Sequence, residues 1–210
     1  MARRPGPSLD RDAVVQAAAD LADEAGLDGV TLGSVAARLS VQTPSLYNHV
    51  AGQPGLRREL ALAGLRELAR CLGRATIGQA GDDAMLALAH AYRGFSHAHP
   101  GMYAATQRVP DEGDEQWTTT GADVVGIILA VLAGYGLRDD DALHATRAIR
   151  SLLHGFVSLE TAGGFGLPLS LDVSFEKLLQ THIAGLRQSA PSTRGNKRPT
   201  TVATSNRTRP

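Results

Sequence analysis

The stretch TLGSVAARLSVQTPSLYNHV, residues 31–50, contains two short helical patterns with a tight break between them. Thr31 is a suitable N-cap for a helix over about 32–39, since threonine hydroxyls accept hydrogen bonds from the first helical N–H groups. After the break at 40–42, Thr43 followed by Pro44 predicts the N-cap and the first residue of another helix over about 44–50. Two short helices joined by such a turn are typical of a helix-turn-helix, whose second helix enters the major groove of DNA.

The second of these helices has a short, polar and uncharged outer face. Leu46 and Val50 are four residues apart, so both pack inward. The outer face and its border consist of Pro44, Ser45, Tyr47, Asn48 and His49. Short polar groups approach base edges and phosphate oxygens without the burial of a charge, and a tyrosine hydroxyl or an imidazole N–H donates well to phosphate. Taken singly, Ser45 and Asn48 are also typical of ordinary solvent-facing positions, so the prediction of a DNA-reading helix depends on the whole set.

Helical periodicity extends through the rest of the chain and predicts an all-α fold class, with no strand. Asp10 is a plausible N-cap for the first helix, which Gly26 ends. Further helices are predicted at about 54–73, 82–98, 115–135, 140–162 and 172–188, with a shorter candidate at 100–109. The N-terminal three-helix unit is therefore followed by a larger set of helices.

Charge and cysteine content restrict the class of protein. The 21 basic and 21 acidic residues of the 210-residue chain balance, so any nucleic-acid site is local. The single cysteine, Cys71, excludes an internal disulfide and a cysteine-based zinc site, and it fits a reducing cytoplasm. The N-terminus has charge but no apolar run, so no signal peptide is predicted. The uncharged apolar run 124–137 is shorter than the roughly 20 residues of a membrane helix, which predicts a buried core helix and no membrane.

Residues 9–60 resemble the TetR-type (TetR/AcrR) family of bacterial transcriptional regulators. The shared positions, at the family's spacing, are Thr31, Ala36, Leu39, Val41, Leu46, Tyr47 and His49. The segment LLHGFVSLE, residues 152–160, also resembles the ligand-domain motif of a WHG-like subgroup. The resemblance implies an N-terminal DNA-reading domain and a C-terminal helical domain. The second domain would bind a small molecule and pair with a second copy through its last two long helices.

With this resemblance, the chain divides into four parts. A flexible arm at 1–8 precedes a helix-turn-helix DNA-binding domain at 9–56, with the helix-turn-helix itself at about 32–51. A helical ligand-binding and dimerisation domain covers 57–188, and the acid-free basic segment 189–210 is predicted to be a disordered tail. The implied DNA-binding residues are Thr31, Gln42, Thr43, Pro44, Ser45, Tyr47, Asn48 and His49.

Three positions depart from the common family pattern. Ser40 lies in the turn where many members have glycine, and a non-glycine residue with positive φ costs about 1 kcal/mol there. Gly33 and Gln53 lie where many members carry arginine and lysine. Charge for the DNA backbone would then come from other arginines, namely Arg3, Arg4, Arg38, Arg57 and Arg58. Fewer basic contacts would make the salt dependence of DNA binding shallower, by about 0.9 in slope for each phosphate contact.

Three residues of the C-terminal part are candidates for a ligand cavity: Tyr103, Trp117 and His154. Such cavities are mostly apolar with a few polar anchors. His154 is also typical of a hydrogen-bonded core histidine, and the aromatic side chains are also typical of core filling. His90, His97 and His99 lack the usual helical spacing of zinc ligands. No metal is therefore predicted, and no cofactor apart from an unknown small-molecule effector.

Together these features predict a ligand-responsive, sequence-specific DNA-binding regulator, a repressor that binds a roughly palindromic operator as a homodimer. A helical small-molecule enzyme is the first alternative. No enzyme is predicted, because the sequence shows no nucleophile–base constellation, glycine-rich phosphate loop or metal cluster. A non-specific DNA-coating protein is the second alternative, in which the basic tail at 189–210 would carry all of the DNA binding.

Overall fold

The computed structural model describes residues 9–189, and within this range the protein consists of α-helices, one short 3-10 helix (Leu27–Gly29) and connecting turns. The helices are α1 (Arg11–Ala25), α2 (Leu32–Leu39), α3 (Thr43–Leu46), α4 (Gly52–Thr76), α5 (Gly81–Ala98), α6 (Pro100–Thr106), α7 (Glu115–Ala133), α8 (Asp139–Thr161) and α9 (Leu171–Ser189). The predicted all-α fold class is confirmed. The arm predicted at 1–8, with Arg3 and Arg4, and all but the first residue of the tail predicted at 189–210 lie outside the described residues.

Local signals fix the ends of α1 and α2. The Asp10 carboxylate accepts a hydrogen bond from the Ala13 N–H (2.8 Å), and Gly26 ends α1 with a φ of 74°. Thr31 caps α2 in a reciprocal capping box. Its hydroxyl accepts from the Ser34 N–H (3.0 Å), and the Ser34 hydroxyl accepts from the Thr31 N–H (2.9 Å). Both predicted N-caps and the predicted glycine stop are confirmed. The sequence predicts them correctly because these interactions join residues only a few positions apart.

The helix α3 is shorter than the sequence predicts, and its cap is different. Gln42, and not Thr43, is the N-cap, so Thr43 and Pro44 are the first two helical residues. After Leu46 the chain forms a turn over 47–49, in which the His49 N–H donates to the Leu46 carbonyl (2.9 Å). Such tighter bonds to the third preceding residue are common where helices end. A sequence pattern does not separate them from a further α-helical turn, since the same side chains face inward.

The long helix α4 joins the two parts of the chain. It includes the predicted boundary between 56 and 57, so both parts share one continuous helix, and the division into domains stays a prediction. The short helix α6 lies against α1 and α4 at two points of close backbone approach. A Cβ at Gly101 would lie 2.0 Å from the carbonyl carbon of Ala22, and a Cβ at Gly64 would lie 2.9 Å from the Met102 carbonyl oxygen. Glycine at both positions therefore allows α6 to contact α1 and α4 directly.

Only one side of α7 is buried, so the prediction of a buried core helix over 124–137 is wrong in part. Ile128 and Leu132 are buried, whereas Val125 is exposed and Val124 is half-buried. Within residues 9–189, α7 is the one helix whose length and composition would allow a membrane span, a property that core helices of soluble proteins share. Val124 and Val125 line a cavity instead of packing in the core.

The last two helices pack on the core through one face each. The core residues are Ala142, Thr146, Ile149, Leu153, Phe156 and Val157 on α8, and Phe175, Leu179, Ile183 and Leu186 on α9. Leu143 of α8 does not belong to this face and is 46% exposed. The opposite faces of both helices are uncovered and carry small residues, among them Ala148 and Ala184.

Candidate nucleic-acid interface and ligand cavity

The surface of α3 and the turn after it carries most of the residues predicted to contact DNA. Leu46 and Val50 are buried, as predicted, and Tyr47 is 60% exposed. The remaining candidates are the exposed Gln42, Pro44 and Asn48 and the half-buried Thr43, Ser45 and His49. This face presents hydroxyl, amide and imidazole groups without a carboxylate, so it suits close approach to the acceptor-rich surface of DNA. The contact of each residue with DNA stays a prediction.

Gln53, near the start of α4, fixes the N-terminus of α2. Its amide nitrogen donates to the Val30 carbonyl (2.6 Å), and its amide oxygen accepts from the Leu32 N–H (3.0 Å). The Leu32 N–H is one of the helix-terminal donors that lack an intrahelical partner, and a lysine at position 53 would offer it no acceptor. Sequence reasoning missed this role because the partners lie 21 and 23 residues away. Thr31 is exposed at the same helix end, where its contact with phosphate stays a prediction.

The turn between α2 and α3 has the left-handed backbone that the family resemblance implies. Ser40 has a φ of 56° and a ψ of 38°, a region that favours glycine. Its N–H donates to the Ala37 carbonyl (3.1 Å), and the Val41 N–H donates to the Ala36 carbonyl (3.0 Å). These bonds satisfy carbonyls at the end of α2 and so offset part of the backbone strain.

Two of the arginines considered for the DNA backbone bind carboxylates instead. Arg38 pairs with Glu24 (3.1 Å), and Arg58 binds both oxygens of Asp114, through Nε at 2.6 Å and Nη2 at 2.7 Å. The Arg58 guanidinium lowers the pKa of Asp114 to about 2, so this pair is charged at neutral pH. Arg57 has no carboxylate partner within residues 9–189. The ion pair of Arg58 with Asp114 joins α4 to the N-terminus of α7.

The Asp23 carboxylate joins α1 to the start of α6. One oxygen accepts from the N–H groups of Gly101 (2.9 Å) and Met102 (3.0 Å), and the other lies 2.9 Å from His99 Nδ1. The N–H groups of a first helical turn have no intrahelical partner, and an acidic side chain also suits the positive pole of the helix. This contact links the N-terminal helices directly to the C-terminal part of the chain.

The α7 cavity, a space of about 570 Å³, lies between α4, the end of α6, α7 and α8. Its apolar wall includes Leu65, Leu68, Tyr92, Trp117, Val124, Val125, Ile128 and Leu153. Arg108 and Arg150 are its charged residues, and no aspartate or glutamate lines it. This volume and this combination of an apolar wall with few polar groups are typical of small-molecule sites. Of the predicted ligand residues, the structure places Trp117 here.

Tyr103 and His154 line a different space, the α6–α8 pocket, of about 380 Å³. The Tyr103 hydroxyl lies 2.6 Å from His154 Nδ1 and 3.1 Å from the hydroxyl of Tyr92, which lines the α7 cavity. Burial raises the pKa of both tyrosine hydroxyls, and the positive charge of Arg150 opposes that rise. The three predicted ligand residues are thus not in one cavity, although a row of hydrogen bonds connects the two spaces. Their roles in ligand binding stay predictions.

The histidines considered as metal ligands are each paired with a carboxylate. The pairs are His90 with Glu176 (2.7 Å), His97 with Glu160 (2.9 Å) and His99 with Asp23 (2.9 Å). In the part of the chain that the structure describes, no group of three or more His, Cys, Asp or Glu side chains is placed to hold a metal ion.

Known proteins are similar to this chain in sequence and in fold. A family described as Tetracyclin repressor-like, C-terminal domain, matches residues 85–182. An uncharacterized HTH-type transcriptional regulator of Mycobacterium tuberculosis is 35% identical over 181 residues, which cover 86% of this chain and 83% of that protein. A second such regulator, of Bacillus subtilis, is 36% identical over 184 residues, which cover 87% of this chain and 95% of that protein.

The fold is also similar to that of a TetR variant from Acinetobacter baumannii AYE, solved in complex with minocycline. The TM-score is 0.67 at 24% identity, with 88% of this chain and 100% of the other covered. The segment 152–160 lies within the matched C-terminal range, and its WHG-like character stays a prediction. The helix-turn-helix at α2 and α3, the helical C-terminal part and the two similar regulators show that the chain belongs to the TetR family of ligand-responsive, DNA-binding transcriptional regulators.

Proposed function

We propose that the protein is a cytoplasmic repressor that binds a roughly palindromic operator as a homodimer, and that a small molecule in the α7 cavity changes its operator affinity. The position of α6 carries this proposal. Thr106, at its C-terminal end, lines the α7 cavity, whereas Gly101 and Met102, at its N-terminal end, bind Asp23 of α1. One short helix therefore contacts both the candidate effector space and the DNA-reading part.

A helix of seven residues is about 10 Å long and moves as a unit. A ligand that displaces Thr106 would therefore also move the end of α6 that Asp23 holds, and α1 with it. The ligand shifts the equilibrium only by the difference in its affinity for the two arrangements. Ligand and operator binding are then reciprocally coupled, so the operator changes ligand affinity by the same factor.

In the proposed dimer, two α3 surfaces would meet successive major grooves about 34–36 Å apart. Support for pairing through α8 and α9 comes from their uncovered faces, which carry small residues such as Ala148, Gly155 and Ala184. A two-fold interface uses the same patch on both copies, and small side chains there permit close approach of the paired helices. The two-fold axis would in turn impose a palindromic operator.

The first test is binding of the purified protein to the DNA just upstream of its own gene, at stated salt, against a random duplex. We expect the specific duplex to bind about a thousandfold more tightly or better. Tyr47→Ala and His49→Ala should lose this preference while remaining folded and dimeric. His90→Ala, which changes an exposed histidine of α5, is the matched control and should bind as the wild type does.

Two outcomes would contradict the proposal. Unaltered operator binding in both α3 variants would remove the DNA-reading role from this surface. Equal weak binding of the wild type to both duplexes, lost on deletion of 190–210, would instead support the DNA-coating alternative.

A further inference from the structure

The α7 cavity contains positive charge with no acidic residue to balance it. Arg108 and Arg150 line it, and neither has a carboxylate within ion-pair distance among residues 9–189. By contrast, Arg58 on α4 and Arg93 on α5 each bind carboxylates. An unpaired guanidinium at the wall of an apolar cavity attracts an anion and disfavours a cation.

Most other hydrogen-bond donors of the cavity are already used within the protein. The hydroxyls of Thr106, Thr118 and Thr146 donate to the backbone carbonyls of Tyr103 (2.7 Å), Asp114 (3.0 Å) and Ala142 (2.8 Å). The Gln107 amide donates to the Thr106 hydroxyl (2.8 Å). The two guanidinium groups therefore provide most of the free N–H donors, and a ligand with acceptor oxygens would find its partners there.

We propose that the α7 cavity takes an amphipathic organic anion, a carboxylate with an apolar aliphatic or aromatic body, and that Arg150 binds the carboxylate. This inference rests on the proposed function, in which the cavity is the effector site. Arg150 follows Thr146 and precedes Leu153 on the side of α8 that lines the cavity. Its planar fork matches a carboxylate through two parallel N–H···O bonds, while the apolar wall covers the body of the ligand.

Two matched pairs of probes test the ligand class. Octanoate is compared with octan-1-ol, and 3-phenylpropanoate with 3-phenylpropan-1-ol, so that each pair keeps its apolar body and differs in charge. Binding to the full chain without DNA is measured by calorimetry, and the fluorescence of Trp117, the single tryptophan, gives a second readout inside the cavity. We expect the carboxylate of at least one pair to bind about tenfold to a hundredfold more tightly than its alcohol.

Substitutions on α8 test which arginine causes the tighter binding of the carboxylate. Arg150→Met should remove it, because methionine keeps an unbranched apolar stem and loses the charged guanidinium, and Arg150→Lys should keep part of it without the bidentate geometry. Arg147→Met is the matched control, since Arg147 is exposed like Arg150 and lies on the same helix, but it does not line the cavity. Circular dichroism of each variant shows that it is folded.

Equal binding of acid and alcohol, no binding of either pair, or a preference that survives Arg150→Met would overturn the inference. Its failure is distinguishable from failure of the proposed function, because the probes are measured without DNA and the operator without probes. A protein that binds its operator but shows no carboxylate preference would keep the proposed function and lose this ligand class. A protein that prefers the carboxylate but does not bind its operator specifically would keep this ligand class and lose the proposed function.

Discussion

The Asp23 carboxylate of α1 accepts a hydrogen bond from the Gly101 N–H of α6 at 2.9 Å, across 78 residues of sequence. At the same place the α6 backbone lies against Ala22, so close that a Cβ on Gly101 would overlap its carbonyl group. The N-terminal helix α1 and the short helix α6 of the C-terminal part therefore meet backbone to backbone. Such a contact transmits small displacements, because packed interiors have little free volume to absorb them.

Gly101→Ala should push α6 away from α1. We expect the free energy of unfolding to fall by about 1–3 kcal/mol, the usual cost of overpacking, and operator affinity to change with it. Urea titration and operator binding are the measurements. Gly94→Ala is the control, because no atom lies within 4 Å of a Cβ there, and the change should be neutral or stabilise α5 by up to about 1 kcal/mol. Equal effects of the two variants would contradict the tight α1–α6 contact.

Gln53→Ala should weaken operator binding without removing a side chain that reads DNA. It leaves the Leu32 N–H and the Val30 carbonyl without their partner, which costs about 1–3 kcal/mol of stability and loosens the start of α2. Gln42→Ala is the comparison, since Gln42 is exposed and makes no capping bond. It should reduce operator affinity while the urea midpoint stays at the wild-type value. An unchanged free energy of unfolding in Gln53→Ala would show that this side chain does not stabilise the start of α2.

The ion pair between Arg58 and Asp114 should make the free energy of unfolding decrease at acidic pH. Because the folded-state pKa of Asp114 is about 2, below its ordinary 3.8, its contribution to stability is fully present above about pH 4. That contribution is lost as the pH falls towards 2. Asp114→Asn keeps an acceptor for the Trp117 N–H but removes the charge.

Urea unfolding of the wild type and of Asp114→Asn, at matched ionic strength, checks this prediction. The wild type should be the more stable protein at neutral pH, and the gap should narrow between about pH 4 and 2. The other carboxylates are present in both proteins, so their titration cancels from the difference. A gap that is constant with pH would mean that the pair contributes nothing.

Gly155→Arg should separate the proposed dimer into monomers. Gly155 is helical, and no atom lies within 4 Å of a Cβ built on it, so a single chain tolerates the larger side chain. A charged side chain on the face of α8 that is proposed to pair with a second copy would keep the two copies apart. Gly94→Arg, at an equally open helical position on α5, should remain dimeric. Analytical ultracentrifugation of both variants measures their oligomeric state. A dimeric Gly155→Arg protein would place the interface elsewhere.

The sequence by itself determined the features that depend on neighbouring residues. Asp10, Gly26 and Thr31 set the ends of α1 and α2 because caps and glycine stops act over a few positions. The four-residue spacing of Leu46 and Val50 correctly predicted that both side chains are buried. The left-handed conformation of Ser40 was expected from the family resemblance and not from local rules. Local rules did not separate the end of the short α3 from a further helical turn.

Only the tertiary structure decided which distant groups meet. Three contacts join residues from 21 to 79 positions apart. They are the hydrogen bonds of Gln53 to the start of α2, the ion pair of Arg58 with Asp114 and the contact of Asp23 with α6. Packing likewise assigned the apolar side of α7 to a cavity wall, and it placed Trp117 in a different space from Tyr103 and His154. Periodicity reports which face of a helix is apolar. Whether that face meets another helix or an open cavity depends on how all the helices are arranged around it.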